Sequence, residues 1–307
     1  MFVRSLFLFL LAIVAPASAA ETRCSLWIDL CDAEPVRYED VLSDLSTARV
    51  VYVGERHGLE RHHAIQAQLI DDLGRRGVKL VLALEQLEAH QQTHLDRYAR
   101  GEVDFEKLAE LTAWEKHWRG HVQYKQALEA ARRHKSPIIA LNARAETIRQ
   151  IARSGGVGKL EKKLRDELPA EMALSDPSYE KLLRLQMPVH AAATADRLQP
   201  MIEAQIARDE AMAARLVEFL ASEAGRGRTA IVLCGASHAA YGLGMPARVR
   251  RHVPSVQDWI VLLSESGEVE LSENELAQAR PIRITHQQLR ELGRVPGDYL
   301  YATEPGR

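Results

Sequence analysis

The chain has 307 residues, 46% of them hydrophobic, and a formal net charge of -2 at pH 7. It is long enough for one large domain or two small ones, with a sizeable core. The near-neutral charge excludes a typical nucleic-acid-binding surface, which carries a basic excess, so we expect no nucleic-acid partner.

The first 20 residues have the pattern of a secretory signal peptide. Arg4 gives a positive start, an apolar stretch covers 6–14, and small residues at 16–20 provide a cleavage site. The apolar stretch is short for an uncleaved anchor, because a membrane span needs roughly 20 residues. We therefore expect the signal to be removed and the protein to be exported to the periplasm.

Three cysteines are consistent with different roles after export. Cys24 and Cys31 lie close together near the mature N-terminus, where an oxidising compartment would allow them to pair. Residues 21–23 are Glu-Thr-Arg, whereas a lipoprotein signal needs small or apolar residues before its cysteine. We therefore expect no lipid anchor at Cys24. Cys234 lies in an apolar run and is expected to be a buried thiol.

The stretch from Val50 to Gly58 is the first strong structural signal. Its apolar start predicts a short buried strand, and its glycines at 54 and 58 let the backbone turn where a Cβ would resist. Glu55 and His57 are therefore expected at the carboxyl end of this strand. In an open α/β sheet, ligands bind at that edge.

A crossover unit follows this strand. Apolar residues at helical spacing predict a helix over 59–76, which Gly77 ends. Residues 78–84 predict a second strand, with Glu85 directly after it. Because a strand–helix–strand unit joins parallel strands, the two strands should end at the same edge.

The same alternation continues to the end of the chain. Further strands are predicted at 138–141, 229–234 and 259–263, and an edge strand at 299–302. Further helices are predicted at 88–100, 105–111, 124–134 and 190–221. The aromatic residues of 114–124 are interpreted as core. This pattern predicts an α/β fold with a central, mostly parallel sheet flanked by helices.

The domain organisation is read from composition. Residues 143–200 are charged and helical in pattern, with glycine and proline breaks, and are expected to form a helical cap over the strand edge. No shift in composition marks a domain boundary. We therefore expect one domain at 45–303, preceded by the signal peptide at 1–20 and an N-terminal extension at 21–44.

Four predicted strands end in polar side chains, and a parallel sheet would bring these ends together. Glu55, His57, Glu85 and His238 form what we name the strand-end site, and Asn142 follows the strand at 138–141. Two carboxylates and two imidazoles can hold a divalent metal such as zinc, iron or manganese. The same groups can instead act as acid and base without a metal. Any one of them alone is equally consistent with a hydrogen-bonded strand end.

Two polar residues of the predicted helix 190–221 have two alternative interpretations. Gln205 and Asp209 are four residues apart and share a helix face. They can contact the strand-end site from the side, or form a surface pair next to Arg208.

Several short motifs stand in a fixed order along the chain. They are Gly54-Glu55-Arg56-His57 with His63 and Gln66, Leu84-Glu85 with Gln91 or Gln92, Pro137 to Asn142, Ala204 to Ala213, Gly235 to Pro246, and Asp298-Tyr299. This ordered set spans about residues 45–299. It resembles the ChaN family of haem-binding, iron-regulated proteins, within the superfamily that also holds the Tiki proteins and the erythromycin esterases.

The resemblance implies an α/β sandwich with a helical cap that binds haem for iron acquisition. Some members of the family hold two haems between two subunits with tyrosine ligation, which implies a homodimer around haem and an outer-membrane haem or iron transport system as partner. Tyr241, in the Gly235 to Pro246 motif, and Tyr179, in the cap, are the candidate axial ligands, because a phenol oxygen is a known ligand of haem iron. Many members are lipoproteins, and this chain departs from them at Cys24.

Three functions remain open at this point. The first is an exported haem-binding protein of iron uptake. The second is a metal-dependent hydrolase, in which the strand-end site activates water for attack on an ester or peptide, as the esterase and Tiki branches imply. The third is a binding module without small-molecule chemistry.

Overall fold

The computed structural model describes residues 25–118, 120–186, 195–265 and 293–303. The predicted signal peptide at 1–20 lies outside the described residues, and so does Cys24, so its pairing with Cys31 stays a prediction. Within the described part of the chain, no helix combines the length and the apolar character that crossing a bilayer requires.

An eight-stranded sheet forms the centre of the described part of the chain. The strands are β1 (Ser25–Asp29), β2 (Glu34–Val36), β3 (Val50–Glu55), β4 (Leu80–Glu88), β5 (Ile138–Asn142), β6 (Thr229–Gly235), β7 (Asp258–Glu265) and β8 (Tyr299–Thr303). Their order is β2-β1-β8-β7-β3-β6-β4-β5. All neighbours from β8 to β5 are parallel, and β1 is antiparallel to both β2 and β8. The predicted α/β fold with a mostly parallel sheet is confirmed.

Helices flank this sheet. The α-helices are α1 (Tyr38–Leu45), α2 (Glu60–Arg75), α3 (Gln92–Ala99), α4 (Phe105–Thr112), α5 (Trp114–His117), α6 (Lys125–Arg133), α7 (Ala145–Ser154), α8 (Lys162–Arg165), α9 (Pro177–Gln186), α10 (Ala195–Ala221), α11 (Ala236–Ala239) and α12 (Met245–His252). Short 3₁₀ turns lie at Ala89–Gln91, His121–Tyr124, Val157–Lys159 and Ala240–Gly242.

The core lies on both faces of the sheet, and β3 shows why. Val51 and Val53 pack in one apolar cluster with α1, α2 and α6, whereas Val50 and Tyr52 pack in a second cluster with the later part of α10 and with α12. Successive residues of a strand point to opposite faces, so a strand buried on both sides must be apolar throughout. Every residue of β3 is buried, and the apolar run therefore ends only where the strand reaches Glu55.

The described part of 143–200 is helical, as its pattern predicts. Helix α7 and the following 3₁₀ turn pack against α10 in one small apolar cluster. Helix α9 packs against Ile202 and Ile206 of α10 and against Leu243 in another. These contacts place Tyr179, in α9, next to the buried face of α10.

The prediction that 299–302 forms an edge strand is wrong. Strand β8 pairs with β7 on one side and with β1 on the other. The edge is instead formed by β2, because residues 25–36 fold into an antiparallel hairpin that extends the sheet. The hairpin strands have only five and three residues, so alternation gives a weak signal for them.

Close packing, rather than a turn, explains the glycine at position 54. Gly58 has φ 86° and makes the sharp turn expected of it. Gly54 lies inside β3, where an added Cβ would come 2.9 Å from Leu262 Cδ2 and 3.1 Å from Ala236 Cα. Strand β7 and helix α11 therefore approach the backbone of β3 directly.

Gly54→Ala is expected to lower the free energy of unfolding by about 1–3 kcal/mol, because a backbone atom and a buried side chain must move. Equilibrium urea denaturation measures this. Gly158→Ala is the matched control, since a Cβ there meets nothing within 4 Å. Equal stability of the two variants would contradict the close approach at Gly54.

Candidate functional site

The parallel sheet brings the residues of the strand-end site to one edge. Strand β6 lies between β3 and β4, so the carboxyl ends of all three meet. Glu55, Glu85 and His238 are only 2%, 1% and 3% exposed. These three side chains of the strand-end site therefore lie in the interior, whereas the fourth, His57, reaches solvent.

Glu55 and His57 form the first pair. His57 Nδ1 lies 2.7 Å from Glu55 Oε1, and its side chain is 38% exposed. The Glu55 carboxylate also accepts hydrogen bonds from Gln66 Nε2 and from the Tyr124 hydroxyl, and His63 Nδ1 lies 3.5 Å away. Burial alone would raise the pKa of Glu55, but the hydrogen bond from His57 and the charge of His63 lower it. Glu55 is thus an ionised carboxylate whose hydrogen bonds come from protein groups. It orients the imidazole of His57, which reaches solvent.

His57 is held in place on several sides. Its ring lies edge-on to Trp118, with ring centroids 4.8 Å apart. A Cβ at position 235 would come within 2.7 Å of His57 Nε2, so Gly235 leaves the space that the ring needs. Burial lowers the pKa of His57, but the hydrogen bond to Glu55 and the charge of Glu85 raise it above its ordinary value. An imidazole oriented by a carboxylate is the geometry of a general acid or base.

The first turns of α2 support this pair, as the positions of His62 and His63 suggest. His62 Nδ1 accepts the backbone N–H of Arg56 at 3.0 Å. Burial lowers the pKa of His62 to about 4, so the ring stays neutral at pH 7 and can accept this bond. His63 Nδ1 lies 3.0 Å from Gln66 Oε1 and fixes the amide that contacts Glu55. The helix thereby holds both the loop that carries His57 and the carboxylate.

Glu85, His238 and Asp209 form a second, deeper group. His238 Nε2 lies 3.1 Å from Glu85 Oε1, and His238 Nδ1 lies 2.6 Å from Asp209 Oδ1. Burial alone would lower the pKa of His238, but the charges of Glu85 and Asp209 outweigh it and raise the pKa to about 10. Burial likewise opposes ionisation of Glu85, and the charge of His238 nevertheless lowers its pKa. His238 is therefore an imidazolium that donates from both nitrogens to two carboxylates.

Helix α10 provides the outer part of this group through Gln205 and Asp209, which share a helix face as their spacing predicts. Asp209 is fully buried, and Gln205 Nε2 lies 3.2 Å from each ring nitrogen of His238. Of the two open alternatives for these residues, the structure shows contact with the site and not a surface pair. Tyr179 extends the group, because its hydroxyl donates to Asp209 Oδ2 at 2.5 Å.

The arrangement offers little to a metal ion. In the part of the chain that the structure describes, no three His, Cys, Asp or Glu side chains are placed to hold one. Both ring nitrogens of His238 already face carboxylates, and both oxygens of Glu55 accept protein donors. The donor set therefore suits proton transfer better than metal binding, and metal ligation by the strand-end site stays a prediction.

The two candidate haem ligands differ in accessibility. Tyr179 is fully buried, its hydroxyl is bonded to Asp209, and its ring lies under the Arg248 guanidinium at 4.9 Å. Burial and the charge of Asp209 raise the pKa of Tyr179 well above its ordinary value. Haem ligation by Tyr179 would require this bond to break and α9 to move.

Tyr241 is half-exposed, and no hydrogen bond joins its hydroxyl to a described residue. Its backbone has φ 61° and ψ 7°, and its N–H donates to the Pro296 carbonyl at 2.7 Å. A left-handed conformation is unusual for a bulky residue and is often found at functional sites. The backbone therefore turns this side chain towards a position that a regular helix would not give it.

Two residues that contact Glu55 were not predicted from the polar residues at the ends of the strands. The Tyr124 hydroxyl donates to Glu55. Its aromatic segment is interpreted from the sequence as core, and Tyr124 is indeed only 1% exposed, so it is both a core residue and a site residue. Gln86 Nε2 lies 3.5 Å from Glu55 Oε1. Its approach depends on an irregularity: residues 84 and 88 of β4 oppose residues 140 and 142 of β5. Such bulges re-aim side chains and leave no clear sequence signal.

Asn142 and Cys234 lie where the sequence suggests. Asn142 Nδ2 donates to the Glu85 backbone carbonyl at 2.9 Å, so it braces the end of β4 and does not contact Glu55. Cys234 is fully buried, and burial raises the pKa of its thiol well above the ordinary value. It is a core residue rather than a nucleophile.

Together, the parallel sheet, the buried carboxylate–imidazole groups at its edge and the covering helices define an α/β protein with a polar centre at the carboxyl ends of its strands. The chain belongs to the haem-binding uptake family ChaN of the Tiki superfamily, whose sequence model matches residues 41–249. The resemblance carried by the ordered motifs is thereby confirmed.

Solved structures were compared with the fold of this chain. The chain is similar to the solved structure described as cofacial heme binding to ChaN of Campylobacter jejuni, with a TM-score of 0.68, 20% identity and coverage of 92% of this chain and 98% of that chain. At this identity the likeness shows the fold alone. An erythromycin esterase mutant, EreC in its open conformation, is similar at 14% identity over 78% of this chain and 77% of that chain, but its TM-score of 0.46 is too low to support an inference.

A curated plant protein also matches. The chain is 26% identical over 239 residues to Protein RETICULATA-RELATED 5, chloroplastic, of Arabidopsis thaliana, a match that covers 73% of this chain and 32% of that protein. The chain thus spans about a third of the length of this curated relative.

Proposed function

We propose that this protein is an exported haem-binding protein that takes part in haem or iron uptake. The observation that carries the proposal is the family match over residues 41–249, which includes both the strand-end site and Tyr241. The signal-peptide pattern of residues 1–20 supports export to the periplasm, and the Glu-Thr-Arg sequence before Cys24 favours a protein without a lipid anchor.

Tyr241 fits the chemistry of a haem ligand. Its hydroxyl is free of described partners, and its ring packs beside apolar residues of two clusters, which suits a flat apolar macrocycle. A phenol oxygen is a known axial ligand of haem iron. We infer that Tyr241, rather than the buried Tyr179, holds the iron. A homodimer around haem and an outer-membrane transport partner follow as parts of the same proposal.

Tyr241→Phe is expected to remove the charge-transfer bands of phenolate-ligated ferric haem, because the oxygen is lost while the ring volume is kept. The measurement is a haemin titration of the mature protein, from Glu21 onward, followed by visible absorption. Tyr38→Phe is the matched control, since that hydroxyl bonds Asp72 far from the strand ends. If Tyr179→Phe loses the charge-transfer bands and Tyr241→Phe keeps them, the axial ligand is Tyr179 of α9 and not Tyr241.

If the absorption of the wild-type protein shows no saturable change during the haemin titration, the haem proposal is wrong. Export is tested separately, by fractionating cells that express the full chain and sequencing the mature N-terminus. Recovery of uncleaved protein in the cytoplasm would contradict the predicted signal peptide.

A second candidate function is hydrolysis, and the Glu55–His57 pair favours it. His57 reaches solvent, and Glu55 orients its ring, as an acid–base catalyst requires. If the protein cleaves p-nitrophenyl acetate, Glu55→Gln should reduce kcat by about 10²–10⁴-fold, the range of general acid–base catalysis. Glu60→Gln, exposed at the start of α2, is the control. Turnover that survives in Glu55→Gln would exclude this pair as the catalyst.

A further inference from the structure

A small cavity adjoins the strand-end site. Its volume is 220 Å³. Gln86, in its wall, contacts Glu55, and Trp118, also in its wall, lies against His57. Pockets for drug-sized ligands have about 300–1,000 Å³, so this one leaves no room for a whole porphyrin. A ligand of this cavity is therefore a smaller molecule than haem.

Four residues that line the cavity carry a buried polar atom without a hydrogen-bond partner among the described residues. These atoms are Trp114 Nε1, Gln86 Oε1, Asn142 Oδ1 and Arg208 Nε. Trp114 is 1% exposed and Gln86 is 5% exposed. A buried donor or acceptor without a partner costs about 1–3 kcal/mol, and such atoms normally bind a ligand or ordered water.

The orientation of both amides is fixed by their other bonds. The nitrogen of Gln86 must face Glu55, because a carboxylate only accepts. The nitrogen of Asn142 donates to the Glu85 carbonyl at 2.9 Å. Each amide therefore keeps its oxygen for a further donor, while the indole and guanidinium N–H groups require acceptors.

The charge around the cavity is positive. Lys116, Arg149 and Arg208 line it, whereas Glu88 is the single acidic residue among the described residues of its wall. Arg149 is paired with Glu146, but neither Lys116 nor Arg208 forms an ion pair with a described residue. Two uncompensated cations beside a small concave site attract an anion.

We propose that this cavity binds a small organic acid with a hydroxyl or amino group next to its carboxylate. The carboxylate accepts from Arg208, Trp114 and Lys116, and the adjacent donor serves the two amide oxygens. Haem propionates lack such a donor, so we distinguish this ligand from haem. The inference stands whether or not the protein binds haem or cleaves esters.

The test uses haem-free, ¹⁵N-labelled mature protein titrated with L-lactate. The indole N–H signal of Trp114, assigned with Trp114→Phe, is expected to shift saturably. Propionate lacks the hydroxyl and lactamide lacks the charge, so each should bind about tenfold more weakly or worse, as expected when a buried polar partner is lost.

Variants separate this site from a water-filled cavity. Arg208→Gln and the surface change Lys116→Gln should each weaken lactate binding by about tenfold. Arg215→Gln is the matched control, because Arg215 lies on the same helix and pairs with the exposed Glu218. Absence of a saturable shift, equal affinity for lactate and propionate, or unchanged binding in both variants would each overturn the proposal. The affinity of Arg208→Gln for haemin should equal that of the wild type. Lactate binding and haemin binding therefore test the two proposals separately.

Discussion

His238→Leu is expected to lower the free energy of unfolding by about 3–5 kcal/mol at pH 7, the range for breaking a buried ion pair. Without the imidazolium, Glu85 and Asp209 would be left as neighbouring buried carboxylates, since His238 lies 3.1 Å from one and 2.6 Å from the other. Urea denaturation measures the loss. His252→Leu is the control, because His252 is exposed at the end of α12.

The pH dependence gives this prediction a specific signature. The pKa of His238 is raised from 6.5 to about 10 in the folded protein, so folding favours its protonated form. Its contribution to stability is therefore complete below pH 6.5 and is lost as pH rises towards 10. The difference in stability between wild type and His238→Leu should narrow across this window. A difference that stays constant from pH 6.5 to 10 would show that His238 is not charged in the folded protein.

The second large effect is expected at Glu210, whose buried carboxylate joins α10 to two arginines of α12. Glu210 Oε2 lies 2.5 Å from Arg251, Oε1 lies 3.4 Å from Arg248 Nε and accepts the Ala173 N–H at 3.1 Å. Arg248 is 2% exposed and also donates to the Leu243 and Gly244 carbonyls. The Arg248 charge is therefore fixed in the interior, and Glu210 is its buried counter-charge, whereas its second partner Asp176 is 27% exposed.

Glu210→Gln keeps the size of the side chain and removes the charge, so the buried Arg248 guanidinium loses its nearer carboxylate and keeps only the partly exposed Asp176 at 3.8 Å. We expect the free energy of unfolding to fall by about 3–5 kcal/mol. Glu218→Gln is the matched control on the same helix, because its side chain is 73% exposed and its pair with Arg215 is worth about 0–1 kcal/mol. Equal losses in the two variants would mean that the buried cluster contributes no more than a surface pair.

Apolar runs that stop at charged residues predict where Glu55 and Glu85 lie, but the predicted end of the second strand is wrong, because β4 continues to Glu88. The pairing of β4 with β6 nevertheless stops at Leu84, so Glu85 lies where that pairing ends. Four apolar residues and Gly54 precede Glu55, and five apolar residues precede Glu85. Parallel topology then places these ends together without further information. Spacing alone does not reveal which groups pair, because that depends on β6 lying between β3 and β4.

Other contacts are invisible to sequence reasoning for a physical reason. Tyr179 reaches Asp209 only through the packing of α9 on α10, and Gln86 reaches Glu55 only through the irregular pairing of β4 with β5. The positive φ of Tyr241 has no signature in its residue type, since such residues rarely adopt it. Each of these features is set by tertiary packing rather than by local preference.

The pairing of β1 with β8 has a consequence for the way the chain assembles. Trp27 faces Tyr301 across this ladder, so nearly the whole sequence lies between two neighbouring strands. The N-terminal hairpin has no strand to join until the last strand has been synthesised and has docked on β7. Closure of so long a loop is slow, and the outer edge of β8 stays unpaired until β1 joins it. The newly made chain should therefore complete its sheet only after β8 has been synthesised, so that the strands made first are among the last to pair.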